Sequence, residues 1–160
     1  MHFKQTFVQQ KYCYNPFLDF SAGYLVTTHS ERLASTMKPW GFHLILDLRR
    51  CAPLSIRCPQ HITRFSDQLV GEIDMVPFGR PTVVRFGEDD KMGFTLVQLI
   101  QTSNITAHFS EETNDAYVDV FSCKHFEPAT VRRVVGQFFS PKAMRSTFLL
   151  RGAPRAQELK

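Results

Sequence analysis

The sequence predicts an α+β fold: a two-layer sandwich, with a mainly antiparallel sheet and helices on one face. Short apolar or alternating runs of strand length recur along the chain. Two further stretches repeat apolar residues every three or four positions behind a proline. The resulting order is strand, helix, strands, helix, strand. With 160 residues, 43% hydrophobic and 21% charged, the chain is the size of one globular domain with a real core.

Residues 1–36 mix aromatic and polar positions without periodicity and read as an N-terminal extension to a domain over 37–160. The domain opens with Phe42 to Leu48, an apolar run bounded by Gly41 and by Arg49 and Arg50, which predicts a central strand. Pro59 suits a first helical position, and Ile62, Phe65, Leu69, Ile73 and Val76 then line one face of a helix up to Pro77. After a turn-rich Pro77–Pro81 come a strand from Thr82 to Phe86, a polar hairpin connection, a strand from Phe94 to Ile100 and an extended piece around Ile105 to Phe109. Tyr117 to Phe121 alternates strictly. Glu127-Pro128 opens a second helix with Val131, Val134, Val135 and Phe138 on its apolar face. Thr147 to Leu150 makes a last strand, within a basic stretch from Lys142 to Lys160 that reads as a solvated end.

No apolar run reaches membrane-spanning length and the N-terminus lacks a signal-like pattern, so a cytoplasmic protein is expected. Four cysteines (Cys13, Cys51, Cys58, Cys123) are few for this length, which favours free thiols over a disulfide framework. The net charge of +4 is spread among interleaved acids and bases, which argues against a nucleic-acid surface. Cys51, Cys58 and His61 lack a fourth ligand at zinc spacing, so no metal is expected.

The segment Gln101 to Cys123 sets Ser103, His108 and Cys123 on neighbouring strand-like pieces. Taken singly, a turn serine, a strand-end histidine and a buried cysteine are ordinary. Their joint spacing is not: the histidine follows the serine by five positions and the cysteine follows the histidine by fifteen. In this the segment resembles the small prokaryotic S-adenosylmethionine decarboxylases, with the apolar run before the serine, Glu112 four positions after the histidine, and the strand ending in the cysteine also matching. The likeness in element order runs roughly from Trp40 to Arg151.

The resemblance implies a self-processing proenzyme. Ser103 would attack the preceding carbonyl, cleave the chain between Thr102 and Ser103, and become a pyruvoyl group, an electron sink for decarboxylating an amino substrate. It further implies His108 and Thr95 in processing, Cys123 as proton donor to the decarboxylated carbon, Glu112 and Ile105 in substrate binding, S-adenosylmethionine as substrate, spermidine biosynthesis as destination, and a homodimer. Three positions depart from the family pattern: Thr102 stands where relatives carry glutamate, Asn104 where histidine is expected, and Ser110 where they place an aromatic ring. Because the attacked carbonyl belongs to the main chain, Thr102 does not forbid cleavage, although its β-branched side chain crowds the bond. Two other readings stay open: a pyruvoyl enzyme acting on arginine or ornithine, and a homologue that never cleaves. Asp119, between Val118 and Val120, faces either solvent or a polar site.

Overall fold

The alternation beginning at Gly41 becomes the first strand, β1 (Gly41–Arg49), with Leu44, Leu46 and Leu48 buried on one side and His43, Ile45 and Asp47 on the other. The computed structural model describes residues 39–153, so the expected extension over 1–36, with Cys13, lies outside the described residues. A short helix α1 (Pro53–Ile56) and a long one, α2 (Pro59–Glu72), follow, and then β2 (Pro77–Phe86), β3 (Gly93–Ile100), β4 (Ser103–Ser110), β5 (Ala116–Ser122), α3 (Pro128–Phe139) and β6 (Ala143–Arg151).

The strands form one six-stranded sheet in the order β2-β3-β4-β5-β1-β6. Every neighbouring pair is antiparallel. Only hairpin-length connections are needed along β2-β3-β4-β5, whereas β1 is inserted between β5 and β6. Period-two alternation then sorts the side chains. Leu96, Ile105, Ala107, Phe109, Val118 and Val120 join the β1 leucines against the helices. There they meet Ile62, Phe65 and Leu69 of α2 and Val131, Val134, Val135 and Phe139 of α3. Phe139 meets Phe65 edge to face and Phe109 at a tilt, with ring centroids 4.8 and 4.9 Å apart, so helices and sheet share one aromatic junction. Both helices start on proline at the position where a missing N–H costs nothing. Gly93 lets β3 approach β4: a Cβ there would lie 1.8 Å from the Phe109 carbonyl oxygen.

Three expectations change. The turn-rich Pro77–Pro81 belongs to β2, because the extra residues between Phe78 and Thr82 are absorbed as an irregularity in register, with Gly79 at φ 73°. Helix α2 stops at Glu72 rather than near Val76, as Asp74 adopts a left-handed φ of 54° and turns the chain back under the sheet edge. The stretch from Lys142 is no solvated end as far as Arg151, since β6 pairs along β1 for its whole length; residues 154–160 lie outside the described residues.

The second face of the sheet has no layer over it among the described residues. It carries Thr95, Val97 and Leu99 from β3, Asn104, Thr106 and His108 from β4, Tyr117, Asp119 and Phe121 from β5, and His43 and Ile45 from β1. Val84, Val97, Leu99, Tyr117 and Leu149 are exposed large hydrophobic side chains on it. Half-exposed Leu99, near the end of β3, and Val97 two residues before it give this face an apolar surface interleaved with polar side chains.

Candidate active site

The tight turn between β3 and β4 carries Gln101 and Thr102 and ends at Ser103. Ser103 pairs with Ile100 across the hairpin and with Ser122 on β5, so two ladders hold it. Its φ is 151°, in the positive region that non-glycine residues rarely occupy, so the backbone is strained at this serine. On the acyl side of the same peptide bond, the Thr102 carbonyl oxygen accepts the Cys123 N–H at 3.0 Å. The Asn104 side-chain amide donates to Ser103 Oγ at 3.2 Å. Beneath the turn, Thr102 Oγ1 donates to Met75 Sδ at 3.2 Å and the Gln101 N–H to the Val76 carbonyl at 3.0 Å. Cys123 is an exposed free thiol just past β5. Beside it, Lys124 Nζ meets the Asp74 carboxylate at 2.6 Å, and that hydrogen bond holds the Asp74 carboxyl below its usual range.

A second polar pair sits at the other end of the hairpin. Thr95 and His108 are opposite each other in the β3–β4 register and share a hydrogen bond of 2.8 Å between Oγ1 and Nδ1. With Nδ1 engaged, the ring is oriented and Nε2 is left for proton exchange. The Phe86 ring lies 6.4 Å from the His108 ring and is exposed, an aromatic surface beside an imidazole.

The structure therefore joins Ser103 to Cys123, and Thr95 to His108, but keeps the two pairs apart within one chain. Five residues of strand separate Ser103 from His108, about 17 Å at the rise of an extended chain. Glu112 lies beyond the His108 end of β4 and is exposed. Its neighbour Glu111 is the acid that is held: its carboxylate takes a two-pronged bond from Arg85, at 2.6 and 2.9 Å, which lowers its pKa. Arg57 binds the Glu111 carbonyl and, at 2.6 Å, Asn114 Oδ1, so the connection carrying Glu112 is pinned at both ends. Ile105 is fully buried on the helix side, and its side chain packs under β4 rather than on the open face.

Asp119 lies in a polar site. It accepts His43 Nε2–H at 2.9 Å, while His43 Nδ1 faces Arg151 Nη1 at 3.0 Å. A guanidinium only donates, so Nδ1 is the acceptor and the imidazole proton lies on Nε2, directed at Asp119. Arg151 also sits over the Phe121 ring, 5.3 Å from its centroid. No sequence spacing marks this cluster, because its members are brought together only by strand register. Cys51 is a buried free thiol whose pKa burial pushes up to about 12, which suits packing and not chemistry. His61 spends its Nε2 on the Phe138 carbonyl at 2.9 Å, and no group of three metal-ligating side chains occurs among the described residues.

This α+β fold has a counterpart among solved structures. The chain is similar to the crystal structure of the adenosylmethionine decarboxylase from Aquifex aeolicus VF5, with a TM-score of 0.61 and 23% identity over 75% of this chain and 97% of that one. That likeness is one of fold. The family model for S-adenosylmethionine decarboxylase matches residues 42–152, from the first strand to the end of the last. The chain belongs to the S-adenosylmethionine decarboxylase family, and so to a family of enzymes. No curated protein matches it significantly.

Proposed function

We propose that this chain cleaves itself before Ser103, turns that serine into a pyruvoyl group, and decarboxylates S-adenosylmethionine as a cytoplasmic homodimer that supplies the aminopropyl donor for spermidine synthesis. The observation that carries the reading is the Thr102–Ser103 junction: a strained serine whose preceding carbonyl already accepts a main-chain N–H, that of Cys123, at 3.0 Å. That N–H is placed to stabilise negative charge on the oxygen when the carbonyl is attacked.

Ser103 Oγ adds to the Thr102 carbonyl carbon, the C–N bond breaks, and the hydroxyl proton passes to the Ser103 nitrogen, leaving an ester and a free amine. Loss of the Ser103 Hα to a base, with rupture of the Cβ–Oγ bond, releases the Thr102 carboxylate and leaves dehydroalanine. Water then replaces ammonia to give the pyruvoyl group. Attack of this kind relieves the strain at Ser103, so the ground-state geometry favours it.

The base is His108, oriented by Thr95, and it reaches the site from the second copy. One chain keeps these groups about 17 Å apart, too far for proton transfer. Two copies packed open face to open face about a two-fold axis would set the His108 end of one hairpin against the Ser103 end of the other. The exposed Val97, Leu99 and Tyr117 supply apolar area for such a contact. Once formed, the pyruvoyl group would condense with the substrate amine and draw electrons from the departing carboxylate. The Cys123 thiol, exposed beside that junction, then protonates the carbon left behind. Phe86 gives the purine a ring to lie on where Ser110 offers none, and the exposed Glu112 accepts from the ribose hydroxyls. Ile105 supports the strand from below.

The test is intact mass of purified protein. Wild type is expected as two fragments, one ending at Thr102 and one starting with a pyruvoyl residue at 103, and Ser103→Ala as a single uncut chain. One unmodified mass for both would remove the proposed chemistry.

A further inference from the structure

The cleavage reading accounts for Ser103, Cys123 and His108 but not for the thioether lodged under the turn. Met75 is buried, in the connection from α2 to β2, and its Sδ is approached by two hydroxyls, Thr102 Oγ1 at 3.2 Å and Ser122 Oγ at 3.8 Å. A threonine on a tight turn ordinarily sends its hydroxyl to solvent or back to its own backbone. Here the hydroxyl of this half-buried residue goes to sulfur instead.

Those two hydroxyls belong to particular neighbours. Thr102 owns the carbonyl that Ser103 would attack, and Ser122 immediately precedes Cys123, whose N–H meets that carbonyl. One sulfur atom therefore ties together the residue bearing the acceptor and the residue before the donor. The Ser122 hydroxyl oxygen in turn accepts the Lys124 N–H at 2.9 Å, so the backbone on both sides of Cys123 is fixed. The segment carrying Met75 is itself held: its N–H bonds to the Val70 carbonyl at 3.0 Å, and Lys124 Nζ bonds both the Asp74 carbonyl and carboxylate.

We infer that Met75 is a positioning residue for the chain cleavage, setting the Thr102 carbonyl against the Cys123 N–H through the Thr102 hydroxyl. The inference rests on the cleavage reading above. A thioether suits the task chemically, because it accepts a hydrogen bond but carries no proton. It holds the threonine without offering a proton to the ester oxygen or admitting a water that would hydrolyse the ester early. Because threonine is β-branched, fixing its hydroxyl also fixes χ1, and with it the side of the turn on which the methyl packs.

The experiment follows the rate of fragment appearance in freshly purified full-length chain for wild type, Met75→Leu, Thr102→Val, the double variant and Thr102→Ser. Met75→Leu keeps volume and loses the acceptor, and Thr102→Val keeps shape and loses the donor. Each single variant should cleave about five- to tenfold more slowly, the worth of one hydrogen bond expressed as a rate. The double variant should be no slower than either single one, and Thr102→Ser should return to near the wild-type rate, with melting temperatures little changed throughout. A merely structural role for Met75 would lower the melting temperature and give additive effects. Wild-type rates in both single variants, or additive losses in the double, would overturn the inference while leaving cleavage intact. An uncut wild-type chain would overturn both readings. Should Met75→Leu fold poorly, the Thr102→Val and Thr102→Ser pair decides the question alone.

Discussion

At its start β4 is bent: Ser103 has a positive φ, the turn before it hangs on a sulfur atom, and the adjoining carbonyl is already bonded to Cys123. At its far end the same strand is regular, and His108 simply faces Thr95 across a ladder. One end stores strain at a bond; the other holds a proton-transfer group in a fixed pose. The contrast teaches that, under the proposed cleavage, the bond to be cut and the imidazole lie in separate places in the single chain. On that proposal a monomer would have the junction in place but no base beside it, and assembly would be a condition for reaction.

The sharpest way to break this comparison is complementation. Ser103→Ala and His108→Ala should each be inactive alone, and subunits co-expressed to form mixed dimers should regain about a quarter of wild-type sites, since statistical pairing yields one sound site in half of the dimers. Fragment mass and decarboxylase assay report it, and no recovery would return both groups to one chain. Next in size is Cys123→Ala, which removes the thiol but keeps the main-chain N–H. Cleavage should persist while carbon dioxide release falls by about 10²- to 10⁴-fold, the usual worth of a proton donor.

Thr95→Val should act at the other end, slowing cleavage about fivefold by freeing the His108 ring, as measured by mass against time. The smallest effect lies away from both. Burial lowers the pKa of His61 below its ordinary 6.5, so the unfolded chain takes up a proton that the folded chain resists. Its contribution to stability is present above that value and fades as pH falls below it. Denaturant titrations of His61→Gln should show a flatter pH dependence than wild type as pH falls below about 6.5, with the cleavage site untouched.

Much of the architecture could be read directly from residue pattern. Strict alternation at Tyr117–Phe121, apolar runs at Phe42–Leu48 and Phe94–Ile100, and helical periodicity behind Pro59 and Pro128 each became an element, because burial on one side enforces those periods. Pro77–Pro81 misled because glycine and proline mark a bulge as readily as a turn. The insertion of β1 between β5 and β6 was illegible, since nothing local to Leu44 or Leu46 names the strands that flank it. In the candidate site, the spacing of Ser103, His108 and Cys123 singled out one segment. It could not reveal that five positions along a strand mean separation, nor that Met75 meets Thr102 through a helix-to-strand connection and Arg151 meets His43 through strand register.

The place of β1 has a further consequence. A cut before Ser103 would divide the molecule so that β1, β2 and β3 belong to one piece and β4, β5 and β6 to the other. Because β1 is laced between β5 and β6, and β3 is bonded to β4, the two pieces share three separate seams. Neither can leave unless all three open together. The severed molecule would behave as a woven whole, and the maturation that ends its covalent continuity would leave its shape unchanged.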